Sequence, residues 1–276
     1  LFIKGIAMQF FDSHCHFDFI EFNADRAALW QACNAQGITR LLMPGVTPGQ
    51  WQRAAQLCAD YTGLCYAAGI HPHWIAQQPW FQQDAGDLFS DTTSDNIAAL
   101  IAQEIRHPAC VAVGECGLDK MIATPLHVQQ QLLAIHIDVA NQVRKPLIIH
   151  CVRAHNELLA LLKKHKANCG GVIHAFSGSY EIAQQYVALG FYLGVGGTIT
   201  YERAQKTRAA LTKIPLDYLL LETDAPDMPL QGKQGQRNSP ETIPQVAQVL
   251  AGLRGVDTAE IAAATWSNTL ALFHRD

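Results

Sequence analysis

Short apolar runs alternate with longer amphipathic stretches along the whole 276-residue chain. Runs rich in aliphatic and aromatic residues, bounded by Gly, Pro or polar positions, read as strands. Eight occur, at 9–16 (QFFDSHCH), 38–43 (ITRLLM), 64–70 (LCYAAGI), 110–115 (CVAVGE), 146–150 (PLIIH), 171–175 (GVIHA), 191–195 (FYLGV) and 218–223 (YLLLET). The stretches between them carry a helical period. In 124–143, Leu132, Ile135, Val139 and Val143 recur at spacings of three and four and share one face. The final stretch, 239–272, reads as two helices parted near Gly252–Gly255, with Ser239 as N-cap and Pro240 at the first helical position.

Eight strands, each followed by a helix or a long loop, predict a (β/α)8 TIM barrel. A doubly wound open sheet is the competitor that alternation alone does not separate. No Pro/Gly/Ser-rich linker, repeat or low-complexity segment divides the chain, so residues 9–276 read as one domain. Residues 1–8 read as an N-terminal extension. The chain begins with Leu1, and Met8 is expected to be the natural start, with residues 1–7 a start-site artefact.

Composition narrows the class. Hydrophobic residues make up 49% and charged residues 16%, which fits a compact enzyme and not a disordered chain. No apolar run approaches the ~18 residues of a membrane span, and no secretory signal is legible at the start. The 8 cysteines form no C-x-x-C pair and read as free thiols, so a cytoplasmic protein is expected. A formal net charge of −4 offers no basic face for wrapping duplex DNA. Nucleic acid held at one metal-lined pocket stays possible, because there the cations supply the positive charge. Neither a membrane nor an obligate protein partner is expected.

Candidate chemistry gathers at the C-terminal ends of the expected strands. His14 and His16 follow the first, Glu115 the fourth, His150 the fifth, His174 the sixth and Asp224 the eighth. In a closed barrel these ends form one rim, where active sites sit. Alternation along an extended strand turns His14 and His16 inward together and Cys15 outward. It also turns Asp12 inward, where it is expected to orient a ligand imidazole. Any one of these residues alone is ordinary: a strand-end His is most often structural, and a Glu in a Gly-rich turn is often a capping acceptor. Four histidines and two carboxylates converging from five strands suffice for a two-metal hydrolytic site, with Glu115 able to bridge and Asp224 able to take a proton from water.

"GIHPH" at 69–73 adds His71 and His73 to the rim as extra ligands, phosphate donors or turn residues, with substrate contact favoured. Arg153, shortly after His150, offers a bidentate fork suited to phosphate. Arg237, in "GKQGQRNSP", could do the same or could pin its own long loop. His107, His136, His155, His165 and His274 fall in helical or loop stretches and read as structural, as does His127 in a first helical turn.

"FDSHCHFDF", "GIHPH", "VGECGLD", "PLIIHCVRA", "IHAFSGS", "LLLETDAP" and "QRNSP" occur in this order, and together they resemble the TatD-type metal-dependent deoxyribonucleases of the amidohydrolase-like superfamily. The resemblance spans residues 9–273. It implies a barrel with two divalent ions, His14, His16, Glu115 and Asp224 around one and Glu115, His150 and His174 around the other. It implies that Glu115 bridges, that Asp224 deprotonates the attacking water, and that His71, His73 and Arg153 hold the substrate phosphate. Glu222 would steady the loop around Asp224. Where the family often carries an aromatic and a basic residue after "GECGLD", this chain continues "KMIATP", which leaves Lys120 as the candidate basic contact. Asp227 and Met228 stand where an aromatic residue or leucine is common.

The expected activity is cleavage of DNA, from an end and preferably single-stranded, because a pocket admits a strand terminus more easily than a duplex interior. A small-molecule ester, amide, lactone or phosphoester hydrolase on the same barrel is the alternative. A non-catalytic binding protein is the third reading, and the complete ligand set argues against it. Imidazole ligands favour Zn2+ or Mn2+ over Mg2+, whereas the resemblance implies that Mg2+ supports nuclease activity.

Overall fold

The computed structural model describes residues 8–83 and 89–273. Residues 1–7 and His274 therefore lie outside the described residues. Eight parallel strands run in sequence order around one sheet: β1 (Phe10–Asp12), β2 (Ile38–Met43), β3 (Leu64–Ala68), β4 (Cys110–Asp119), β5 (Leu147–Val152), β6 (Gly171–Ile173), β7 (Phe191–Val195) and β8 (Leu219–Leu221). The ring closes where Ser13 N–H donates to Leu221 O (2.9 Å) and Asp224 N–H donates to His14 O (2.8 Å). This is a single (β/α)8 barrel, and closure excludes the open sheet.

Helices α1 (Arg26–Ala35), α2 (Pro48–Asp60), α3 (Pro79–Gln83), α4 (Asp91–Glu104), α5 (Leu126–Val143), α6 (His155–His165), α7 (Tyr180–Ala188), α8 (Gln205–Lys213), α9 (Ile243–Arg254) and α10 (Thr258–Phe273) complete the chain. The break between α9 and α10 comes at Gly255, whose φ of 68° ends α9 in a left-handed cap. Ser239 caps a short 3-10 turn, Pro240–Thr242, that leads into α9. No helix among the described residues is long and apolar enough to cross a membrane.

Strand residues alternate between two apolar layers. Phe11, Leu42, Ala67, Ala112, Ile148, Val172 and Leu220 fill the barrel interior. Their neighbours, such as Phe10, Leu41, Tyr66, Val113, Leu147 and Ile173, pack against the helices. Strands buried on both faces read as the near-continuous apolar runs seen in the sequence.

Alternation explains part of the rim. His150, His174 and Glu222 lie two residues beyond the inward-facing Ile148, Val172 and Leu220, so the pleat turns them inward. It does not explain Glu115 or His14, which are out of phase with Ala112 and Phe11. In β4 the pairing with β5 shifts register between Val113 and Cys116. The extra residue of this bulge turns Glu115, Gly117 and Asp119 inward while Cys116 and Leu118 stay in the outer layer. β1 ends at Asp12, and the irregular segment after it turns His14 inward. The strand expected over 9–16 would have pointed both histidines at the helices.

Candidate metal centre

Glu115 is the hub. Its carboxylate is 1% exposed, and neither oxygen has a hydrogen-bond partner. Imidazole nitrogens surround it instead. His14 Nε2 lies 3.2 Å and His16 Nε2 3.8 Å from Oε2; His174 Nε2 lies 2.8 Å, His150 Nδ1 3.2 Å and His71 Nε2 3.2 Å from Oε1. Asp224 Oδ1 is 3.4 Å from His14 Nε2 and 3.5 Å from His16 Nε2. Donor atoms at the corners of a tetrahedron around a cation with ~2.1 Å bonds sit about 3.4 Å apart. The separations around each oxygen of Glu115 match that spacing, so one carboxylate lies between two donor sets.

Orphaned atoms make the same point. Both ring nitrogens of His14, Nδ1 of His16 and Nδ1 of His174 are buried without a hydrogen-bond partner. Buried polar groups are rarely left so, because each costs on the order of 1–3 kcal/mol. A divalent cation in each donor set would satisfy His14 Nε2 and both oxygens of Glu115, and the nitrogen and carboxylate donors suit one chemically.

The electrostatics are mutual. Burial raises the pKa of Glu115, but His174, His71 and His14 beside it outweigh burial and hold it well below the usual carboxylate range. Burial also opposes ionisation of Asp224, yet contact with His16 and the charges of His174 and His14 keep it at about 2. Burial, with His174 nearby, lowers His14 to about 4. His174 goes the other way: burial disfavours its charge, but Glu115 lifts it to about 10.

The backbone is held as firmly as the side chains. Asp12, fully buried, accepts from Thr223 N (3.0 Å), Thr223 Oγ1 (2.6 Å) and His14 N (3.2 Å). It clamps the end of β1 to the loop after β8 and touches no ligand imidazole, contrary to expectation. It is the neighbour of the inward-facing Phe11 within β1, so the pleat turns it away from the rings. Asp224 (φ 56°), Ala175 (φ 44°), Arg153 (φ 53°) and Met228 (φ 51°) are left-handed, a cost of order 1 kcal/mol or more each that concentrates at functional sites. Cys15 leaves the site as expected, its Sγ 3.6 Å from Ala225 O in the outer layer. All 8 cysteines are free.

His71 lies within the cluster, but its tautomer sets it apart. Its Nδ1 accepts the His73 backbone N–H at 3.1 Å, which leaves the proton on Nε2. Nε2 thus carries its hydrogen toward Glu115 Oε1 and offers no electron pair to a cation. His73 Nε2 lies 2.8 Å from Asp119 Oδ2, and the same oxygen lies 3.3 Å from His150 Nε2. Asp119 thereby orients His150 through the nitrogen that does not face Glu115, as carboxylates orient metal-binding imidazoles elsewhere. Sequence reasoning passed over Asp119; its signal was the i, i+2, i+4 spacing from Glu115 within "GECGLD". Gln129 secures it, accepting Asp119 N–H at 2.7 Å and donating to its carbonyl at 2.9 Å.

Arg153 is exposed on the wall of a cleft of about 540 Å³ with His150, His174 and Asp224. Arg237 stands elsewhere, forked onto Asp25 (2.9 and 2.6 Å) and over the Phe22 ring, so of its two readings the loop pin holds. Lys120 Nζ is paired with Glu157 at 2.5 Å. Glu222 accepts the Ala175 N–H beside His174 and so supports the loop after β6, where sequence reasoning placed its effect on the loop of Asp224. A side chain at Gly194 would collide with it. His136 is structural, accepting the Ile70 N–H at 3.0 Å and so holding the "GIHPH" loop. His155 lines the cleft with both nitrogens engaged, by Tyr186 Oη at 2.9 Å and Ser177 O at 3.0 Å.

A family model described as TatD related DNase matches residues 11–274. The chain is 41% identical over 267 residues to the uncharacterized metal-dependent hydrolase YjjV of Escherichia coli K12, covering 96% of this chain and 98% of that protein. It is 32% identical over 264 residues to a Klebsiella pneumoniae protein named 3'-5' ssDNA/RNA exonuclease TatD, covering 93% and 94%. The crystal structure of E. coli YjjV matches with a TM-score of 0.88 at 40% identity, over 98% of this chain and 100% of that one. A TatD family hydrolase from Entamoeba histolytica, 19% identical, shares the fold with a TM-score of 0.82 over 97% and 98%.

Proposed function

The chain belongs to the TatD-related DNase family and is a metal-dependent hydrolase, and from that premise we propose that it is a two-metal phosphodiesterase cleaving DNA from the end of a single strand. One observation carries the reading: a buried carboxylate, Glu115, with one unpartnered oxygen in each of two donor sets. His14, His16, Glu115 and Asp224 would hold one divalent ion, and Glu115, His150 and His174 the other. When bound, such ions lower the pKa of water and neutralise charge developing on a phosphoryl group. The donor set favours Zn2+ or Mn2+ on ligand softness, with Mg2+ to be tested beside them.

The protein groups divide the remaining work. Asp224 is held ionised and directs Oδ1 at His14 and His16, leaving Oδ2 to take a proton from the attacking water. The Nε2–H of His71 and the guanidinium of Arg153 flank the reaction centre and bind the non-bridging phosphate oxygens. His73 is engaged with Asp119, so it serves the phosphate by fixing Asp119 and His150. The cleft is lined by His150, His174 and Asp224 from the rim of the barrel, and a pocket there suits a strand terminus. The relative named as a single-strand exonuclease supports nucleic acid as the substrate.

Digestion of end-labelled single- and double-stranded DNA with Mg2+, Mn2+ or Zn2+ tests the proposal. The expected result is stepwise release of nucleotides from one end, faster on single strands. Full-length DNA surviving under every cation, in protein that carries its metals, overturns it.

A further inference from the structure

Across the barrel mouth from the Arg153 cleft lies a second hollow of about 410 Å³, formed by the loops after β1, β2 and β3. Its wall carries two half-buried aromatic rings, Phe19 and Trp74, beside Ile20, which is 71% exposed. Phe19 stacks on His16 with centroids 4.5 Å apart and planes 26° apart. Trp74 stands edge-on to His71 at 5.2 Å, and the two rings lie 6.4 Å from each other. The aromatic wall is therefore continuous with the candidate metal centre. Neighbouring apolar side chains left open beside a polar reaction centre call for an occupant, and the hydrolysis described above makes no use of them.

The rest of the hollow indicates which occupant. Asp18 is 1% exposed; its Oδ2 accepts Gln50 Nε2 at 2.8 Å and its Oδ1 has no partner, an acceptor for an N–H edge. Arg53 lines the same hollow. So does Gly49 in the first turn of α2, where nothing lies within 4 Å of a built Cβ and the Thr47 side chain makes no cap bond. Glu21 lines the hollow too and offsets Arg53, so flat π surface and one N–H acceptor, which a nucleobase can use, are what the hollow offers.

We propose that this hollow is a stacking subsite for the base of the nucleotide flanking the scissile phosphate, on the side away from the nucleotide in the Arg153 cleft. The inference rests on the nuclease reading above and adds Phe19 and Trp74 as residues that decide how the strand is held. The strand crosses Glu115 with one base on each side of the mouth. A π face serves every base, so the subsite favours unpaired bases without selecting sequence.

The test is a double-mutant cycle between ring and base. Asp224→Asn protein loaded with Mn2+ is titrated with a single-stranded hexanucleotide, then with the same strand made abasic at one position at a time. One position should weaken binding by roughly 10- to 100-fold in protein with intact rings and by under about 2-fold once Trp74→Ala or Phe19→Ala is added. Trp74→Phe should restore the penalty, and Trp74→Leu, which keeps apolar bulk without a π face, should not. An abasic penalty unchanged by every ring substitution, or none at any position, overturns the subsite and leaves the nuclease reading standing. No binding of the intact hexanucleotide by protein that holds its metal overturns both.

Discussion

Asp224 and Asp119 make different demands on the same centre. In the proposed reaction Asp224, held low among imidazoles, takes the proton of the attacking water, so Asp224→Asn should lower kcat by roughly 100- to 10,000-fold with the melting temperature little changed. Full activity in that variant would show that another group takes the proton. Asp119 acts through His150, so Asp119→Asn should weaken metal binding by about 10- to 100-fold, read by competition with a chelator of known affinity. The two carboxylates were not equally legible. Asp224 follows an apolar strand inside "ETDAP", and its residue type and position both pointed to the rim. Asp119 was passed over, because the strand was expected to end at Glu115 and β4 continues through Asp119. Donation to phosphate was one of three readings of His71, and choosing among them depends on where the His73 backbone N–H points.

Among the elements, β4 departs most from a plain strand, and its glycines are the cause. A Cβ at Gly117 would meet His150 O at 2.0 Å, and its φ of +152° suits few side chains. Gly117→Ala should therefore part β4 from β5, lower the melting temperature and, through the ligand role proposed for His150, reduce metal content. An unchanged thermal transition with full metal content would refute that coupling. α5 offers a pH test. Burial lowers His136 from 6.5 to about 4, so the folded protein keeps it neutral while the unfolded chain protonates it. Its folded pKa lies below its unfolded value. Stability from it is thus complete above about pH 6.5, falls as pH drops toward 4, and levels off below. His136→Gln retains an acceptor for Ile70 N–H and should flatten that acid limb by on the order of 3 kcal/mol, seen in denaturant unfolding from pH 7 to 4. Matching pH profiles for the two proteins would remove His136 from the account. Element type was readable throughout, with β2 and β7 legible to the residue because Gly and polar residues bound their apolar runs. β1 was overread by four residues past its end, since "SHCH" still alternates although the chain has left the sheet.

The molecule as a whole carries a net charge of −4 and concentrates its cation-binding chemistry at one end of the barrel. Stripping metal with a chelator should lower the melting temperature by roughly 5–10 °C and restoring Mn2+ or Zn2+ should recover it. An unchanged transition would mean that the donor sets add nothing to the fold. The sequence by itself determined eight doubly buried strands alternating with helices, because both are written in apolar periodicity, while closure of the ring between β8 and β1 was left to the tertiary structure. It also determined which residue types meet at the rim, because the C-terminal ends of a parallel barrel converge whatever the details. Only the tertiary structure decided which side chains face inward. The β4 bulge and the early end of β1 each reverse a two-residue phase, and neither leaves a mark in the alternation pattern. It also decided that Asp12 clamps backbone, that Asp119 holds His150 and that Arg237 pins a loop. Those partners lie tens to hundreds of positions apart in sequence, and a hydrogen bond forms between groups that closure of the barrel brings together.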